Sequence, residues 1–501
     1  MRTAVALGSG ALTAFCFPPA DLGPLVLVAL VPLLWTWRGA TPKDAARYGF
    51  TFGVGCYSVS LVWIRYFGVV ALVPLVVAMA AAIALVGALV AALARRHLAS
   101  PFLTAAIWVV LEALRGRWPL GGFAWNDLGI ALHNLPAARA LAGLGGTLLV
   151  TFVIVAVNGA LLDAGLAIRA RHRAAQRVAV AGLTGLVIFG AVVDVTRYQP
   201  RVTGHLRFAL LQGDDRELSL AQQNNQPLTA AHLALAARLR GDYDLVVFPE
   251  SALDTDPQRD PNLRVALRRI ASEHHTSVLV NARTAGTGGH VRNSNLLYQP
   301  DGKLQGVYSK QHLVPFGEYV PWRDELSFIG ELRQVPYDFQ PGHRRVLFRV
   351  AGHRIGTVIC FESAFGPLVR DFVRDGAEAI VVSTSNRSYR RSANSEQHLA
   401  ASQMRAAETA RPVLQAAVSG ISAVIDANGS VRETTSLFRK AIVSGTVATT
   451  TGETPYVRIG DWVVFGSSLA LLVTSALGAR RARSARAQLT EAPAAGTTST
   501  T

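Results

Sequence analysis

Seven apolar runs crowd the first 195 residues and an eighth follows a long polar stretch, so this chain is not built around one soluble core. The runs lie at about 3–17, 22–37, 49–66, 69–95, 101–114, 143–168 and 177–195, with the last at about 460–478. A membrane span takes ~20 apolar residues, which leaves the first, second and fifth short. Half of the 501 residues are hydrophobic and only 16% are charged, a balance that suits a membrane protein carrying a soluble part. The first run does not read as a cleaved signal peptide. Phe17-Pro18-Pro19 is no small-residue cleavage site, and a second apolar run follows at once.

The net charge of +16 would suit nucleic acid, but no basic stripe is interleaved with aromatics, so no nucleic-acid partner is expected. The cations cluster beside apolar runs instead, as topology signals. Arg38, Lys43 and Arg47 follow the second run, and Arg95 and Arg96 the fourth. Arg169, Arg171, Arg173 and Arg177 join the sixth to the seventh, and Arg480, Arg481, Arg483 and Arg486 follow the last. The positive-inside rule then puts both termini in the cytoplasm and residues 196–459 outside. Loop 115–142 dissents, with Arg115, Arg117 and Arg139 beside Trp118, Phe123 and Trp125. It reads either as a re-entrant loop near an active-site mouth or as a loop with aromatic interface anchors.

Residues 205–448 read as a soluble α/β domain, between a bundle at 1–200 and a last helix at 458–479. Short β-branched runs at Leu206–Leu211, Leu245–Phe248, Ser277–Val280, Arg354–Ile359, Ala379–Val382 and Ile421–Ile425 predict strands. Gln226–Arg240 and Ser395–Ala410 predict helices, and Asp301-Gly302 and Asn428-Gly429 mark hairpin turns. Residues 480–501 are expected to form a basic cytoplasmic tail, disordered where Ala, Thr, Ser and Pro dominate beyond Ala487.

Three cysteines this far apart make neither a disulfide framework nor a metal site, and no cofactor is implied. Cys16 and Cys56 sit in apolar runs as small hydrophobes. Cys360 ends the strand Gly356-Thr357-Val358-Ile359 and is followed by Phe361-Glu362. Val246-Val247-Phe248-Pro249-Glu250 ends a second buried run with a carboxylate, and Lys310 and Glu318 share the turn-rich loop after Tyr308-Ser309. Of 49 Lys and Arg only four are Lys (43, 303, 310, 440), leaving 45 Arg. A lysine kept in so arginine-rich a chain suggests work that a guanidinium cannot do. A thiol becomes a nucleophile as thiolate, which a base and a cation favour. Glu250 suits the base, and Lys310 suits a stabiliser of the thiolate and of a tetrahedral oxyanion. Each residue alone has a plainer reading: a core cysteine, a helix-capping glutamate, a surface lysine.

In this order the three motifs resemble the Glu-Lys-Cys triad of the nitrilase superfamily. Seven apolar segments before such a domain and one after resemble the bacterial apolipoprotein N-acyltransferases. The stretch Lys310-Gln311-His312-Leu313-Val314-Pro315-Phe316-Gly317-Glu318-Tyr319-Val320-Pro321 is similar to that family's signature. The resemblance implies an α-β-β-α sandwich beside an eight-helix membrane bundle, with Glu250 as general base, Lys310 as oxyanion stabiliser, Cys360 as nucleophile and Glu318 as supporting carboxylate. It further implies a ping-pong reaction. A phospholipid would give an acyl chain to Cys360, and the amine of an apolipoprotein's diacylglyceryl-cysteine would take it. Phe361, Glu362 and Tyr389 are expected at the substrate, with Phe361, Phe365 and Phe316 along an acyl channel.

The chain departs from the family pattern at Phe361, where Tyr is common, and at Asn386-Arg387-Ser388-Tyr389, which replaces an Asn-Asp-x-Trp-Phe stretch. A tryptophan common soon after the first strand is missing after Gln212-Gly213. These positions bear on acceptor fit, so a membrane amidase or a transferase using another amine remains a second reading. A membrane scaffold for a polyprenol-phosphate mannose synthase is a third, opposed by the intact triad.

Overall fold

The computed structural model describes residues 1–214, 216–217 and 227–491. Residue 226, where a helix was expected to begin, and most positions just after Gly213 therefore lie outside the described residues.

Each apolar run is helical. The helices are α1 (Arg2–Ala14), α2 (Val26–Ala29), α3 (Val31–Trp37), α4 (Pro42–Ser60), α5 (Val69–Ala94), α6 (Pro101–Arg115), α7 (Pro136–Gly145), α8 (Thr147–Arg169) and α9 (Arg173–Val195). Among the described residues, four helical stretches are long and apolar enough to cross a membrane: α5, α8, α9 and Trp462–Arg480. The second run, read from sequence as one segment, is broken. Pro32 has no N–H to bond one turn back, so α2 stops at Ala29, and the Leu30 N–H goes to Asn158 Oδ1 at 3.0 Å. The third run begins seven residues earlier than its hydropathy suggests, because Thr41 accepts from the Asp44 N–H and Pro42 opens the helix. Small residues let the helices close. A Cβ on Gly10 of α1 would meet the Phe52 carbonyl oxygen at 2.1 Å, and one on Gly53 of α4 would meet Ala80 Cα of α5 at 2.5 Å.

The polar region folds into two six-stranded sheets. One has the order β12-β1-β2-β3-β4-β5, from β1 (Arg201–Gln212), β2 (Leu245–Val247), β3 (Ser277–Ala285), β4 (Val291–Tyr298), β5 (Leu304–Ser309) and β12 (Ala441–Thr451). The other has the order β11-β10-β9-β8-β7-β6, from β6 (Phe348–Val350), β7 (His353–Ile359), β8 (Ala379–Thr384), β9 (Val413–Ala417), β10 (Ala423–Ile425) and β11 (Val431–Thr434). Helices α10 (Thr229–Ala236), α11 (Pro261–Glu273), α12 (Gly366–Arg374) and α13 (Asn394–Thr409) complete the layers. Alternation along the strands explains the stacking. Phe208, Leu210, Val247 and Leu279 pack into a core with Ile355 and Val381 of the second sheet, while Ala209, Leu211, Val246 and Val278 pack on Leu235, Leu263 and Leu267 of the outer helices.

Strands β4, β5 and β12 carry polar residues on a sheet face and escaped the hydrophobic pattern, although the turn at Asp301-Gly302 does join β4 to β5. Short α14 (Pro455–Ile459) leads to α15 (Trp462–Glu491). The tail is helical over 480–491, running past Ala487, where disorder is expected to begin. This stretch continues α15, because its Arg, Ala and Leu residues are strong helix formers. Residues 492–501 lie outside the described residues.

Candidate active site

Parallel strands deliver the chemical groups to one end of the sandwich. Glu250 follows β2, Lys310 follows β5 directly, and Cys360 follows β7 at the start of a 3-10 turn. Cys360 adopts φ +52°, a left-handed conformation costly to a side-chain-bearing residue, and Ser251, Phe316 and Asn386 around the same end do likewise. Strain gathered at one point of a fold is usual where side chains must be aimed.

Lys310 is 1% exposed, and its Nζ lies 2.9 Å from Glu318 Oε2 and 3.6 Å from Glu250 Oε1. Burial works against the ammonium, but Glu318 and then Glu250 outweigh it and raise the Lys310 pKa. Asn293 Nδ2 donates to Glu250 Oε1 at 2.8 Å and to Glu318 Oε1 at 3.0 Å, so one amide sets the spacing of the two carboxylates. Asn281 Nδ2 holds Asn293 Oδ1 at 2.8 Å, and the Ser385 N–H reaches Glu250 Oε2 at 3.1 Å. Cys360 is half-buried. Burial, then the Glu250 charge, pushes its thiol up to about 12 against the opposing pull of Lys310 and Thr384. The resting group is therefore a thiol, and attack requires removal of its proton. One ammonium between two carboxylates leaves one negative charge in excess, which is the capacity of the site to accept that proton.

Glu362 has a different place from the one expected at the substrate. It is fully buried. Tyr308 OH donates to its carboxylate at 2.9 Å, as do the N–H groups of Gln311 (2.6 Å), His312 (3.1 Å) and Ile359 (2.8 Å). It ties the Lys310 loop to the Cys360 turn and has no free face for a ligand. His398 braces the same turn. Its Nδ1 accepts from Asn386 Nδ2 at 3.2 Å, which leaves Nε2–H to donate to Ser363 Oγ at 2.7 Å and to the Cys360 carbonyl at 3.1 Å. Burial lowers the His398 pKa to about 4, so the ring is neutral.

The bundle supplies the apolar walls. Trp125, from loop 115–142, stacks on Phe361 at 6.1 Å, and Phe123 lies 5.7 Å from the same ring. Trp63, from the 3-10 turn Val62–Phe67, meets Tyr389 edge-on at 4.9 Å, with Phe67 at 5.3 Å. On the other side Phe365 packs on Phe361 at 5.0 Å and stacks with His312 at 4.3 Å. That pair faces a cavity of about 300 Å³ between α6, α15 and the turn after Cys360. Of the two readings of loop 115–142, its contact with Phe361 fits the one that put it near the site. Asn281, Asn293, His398 and Trp63 went unnoticed in the sequence; the polar Asn293-Ser294-Asn295 within a strand was the one visible signal. Among the described residues no group of three or more His, Cys, Asp or Glu side chains is placed to hold a metal ion.

A strand-end Cys, Lys and Glu on paired sheets define the carbon–nitrogen hydrolase class, and residues 207–456 match the carbon–nitrogen hydrolase family model. Residues 9–160 match the apolipoprotein N-acyltransferase N-terminal domain. An apolipoprotein N-acyltransferase of Geobacter metallireducens is 31% identical over 95% of both chains, and one of Methylococcus capsulatus is 30% identical over 96% of both. The chain belongs to the apolipoprotein N-acyltransferase family, and it is an acyltransferase of lipoprotein biosynthesis. A solved CN-hydrolase superfamily protein from Xanthomonas campestris aligns with 49% of this chain and 91% of its own, at 23% identity and a TM-score of 0.37.

Proposed function

We propose that Cys360 is the nucleophile of a ping-pong transfer, with Glu250 as its base, Lys310 as oxyanion stabiliser and Glu318 supporting Lys310. Glu250 takes the thiol proton, and sulfur attacks the carbonyl carbon of a phospholipid ester. The carbon–oxygen bond to glycerol breaks, the alkoxide regains the proton from Glu250, and a lysophospholipid leaves. The α-amine of an S-diacylglyceryl-cysteine then attacks the thioester, Glu250 takes its proton, the carbon–sulfur bond breaks and the thiol reforms. Lys310 offsets the oxyanion at each tetrahedral stage. The observation that carries the lipid reading is the wall of bundle residues, Trp63, Phe67, Phe123 and Trp125, against Phe361 and Tyr389 beside the nucleophile. A water-soluble amide would not call for such a wall.

The positive-inside pattern supports eight membrane segments, cytoplasmic termini and an extracytoplasmic catalytic domain. The shorter α1, α2–α3, α4 and α6 make up the eight with the four long spans. The test is to incubate purified protein with phospholipid and a diacylglyceryl-cysteine peptide and to follow the peptide mass. The expected result is a gain of one acyl group with wild type and none with Cys360→Ala. No gain, or equal gain with both, would overturn the reading.

A further inference from the structure

We infer that Gln397 is a positioning residue that holds Trp63 and Trp125 in the aromatic wall against Tyr389 and Phe361 beside Cys360 and so governs which acyl-chain lengths reach Cys360. The inference rests on the acyl-transfer reading above. Gln397 lies in the first turn of α13 and is 3% exposed. Its Oε1 accepts from Trp63 Nε1 at 3.0 Å and from Trp125 Nε1 at 2.8 Å. Its Nε2 donates to the Pro18 carbonyl at 3.1 Å and to the Ser60 carbonyl at 2.9 Å. All four bonds are needed to fill the amide's capacity. The amide has one workable orientation, since turning it over would set its N–H groups against two indole N–H groups and its oxygen against two carbonyls.

One side chain of the catalytic domain thus joins four separate points of the membrane part. Two of these points are rings at the nucleophile: Trp125 lies on Phe361 and against His398, and Trp63 lies on Tyr389. Held by their N–H edges, the indoles keep their apolar faces for neighbours, and the two rings lie 5.6 Å apart. Without the anchor, two buried indole donors lose their acceptor and each ring is free to turn toward another. Among the described residues the Gln397 side chain hydrogen-bonds to none of the thiol, carboxylates and lysine, so the effect falls on the chain rather than on bond-making.

The test measures thioester formation at Cys360 with dodecanoyl and hexadecanoyl phospholipids, per mole of titratable active site. Gln397→Leu removes all four bonds. Gln397→Glu, as the carboxylic acid, retains an acceptor for both indoles and one donor for the Pro18 or Ser60 carbonyl. The ratio of the two rates is expected to change by at least about tenfold in Gln397→Leu and to stay within about threefold of wild type in Gln397→Glu, the scale on which apolar pockets discriminate methylenes. A proportional loss for both chain lengths, or equal ratios in the two variants, overturns the inference. If Gln397→Leu does not fold, Trp63→Phe and Trp125→Phe, each lacking one indole N–H, are expected to shift the same ratio; no shift in either overturns it. A wild-type protein that forms no thioester with either lipid instead overturns the acyl-transfer reading itself.

Discussion

Cys360 shows how far a single residue's surroundings decide its chemistry. Its thiol, pushed up to about 12 by burial and Glu250, is expected to react with iodoacetamide ever faster from pH 7 to pH 10, without the plateau an ordinary thiol shows. This is measured in a Cys16→Ala, Cys56→Ala background; a plateau below pH 9 would contradict it. Asn293 bridges Glu250 and Glu318, and its replacement by Ala is expected to lower kcat by roughly 10–100-fold, because small misplacements at a reacting centre are costly. His398 makes a prediction about acid. Its folded pKa is depressed to about 4 from an ordinary 6.5, so its contribution to stability is present above pH 6.5 and is lost as pH falls towards 4. The thermal midpoint of His398→Gln should therefore fall less steeply than that of wild type between pH 6.5 and 4.

Helix α13 is the element that joins the two halves. Gln397 reaches the two bundle tryptophans, Gln403 Oε1 lies 2.8 Å from His133 Nδ1, and Glu408 accepts from the Thr147 N–H at 2.7 Å. Near its C-terminus Arg405 Nε pairs with Glu408 Oε2 at 2.7 Å, both side chains being almost fully buried. Arg405→Met leaves the Glu408 carboxylate buried without its cation and is expected to cost about 3–5 kcal/mol. Adding Glu408→Gln should recover much of that loss, as measured by unfolding in detergent. Equal destabilisation by the single and the double variant would show that the pair contributes through packing instead.

For the molecule as a whole, a membrane bundle is fused to a carbon–nitrogen hydrolase sandwich, and the site lies where they meet. Glu250, Lys310, Glu318 and Cys360 come from the sandwich, while Trp63, Phe67, Phe123 and Trp125 come from the bundle. The sandwich alone would therefore carry its thiol, lysine and carboxylates without the aromatic wall. Orientation belongs to this scale too. A reporter active only outside the cytoplasm, fused near residue 300, is expected to be active; one active only in the cytoplasm would reverse the topology.

The sequence by itself determined the membrane character, the strand-end positions of Glu250, Lys310 and Cys360, and the family resemblance, because these are local. An apolar run is apolar wherever it folds, and a carboxylate or thiol after a β-branched run is visible in a few residues. Tertiary structure alone decided that Asn293 bridges two carboxylates 43 and 25 residues away. It also turned Glu362 inward to bind the Lys310 loop, and brought Trp63 and Trp125 to one amide of Gln397, 334 and 272 residues away. Such contacts depend on where two sheets and a bundle meet, and on the need of each buried donor for an acceptor. Neither requirement leaves a periodic mark on the chain.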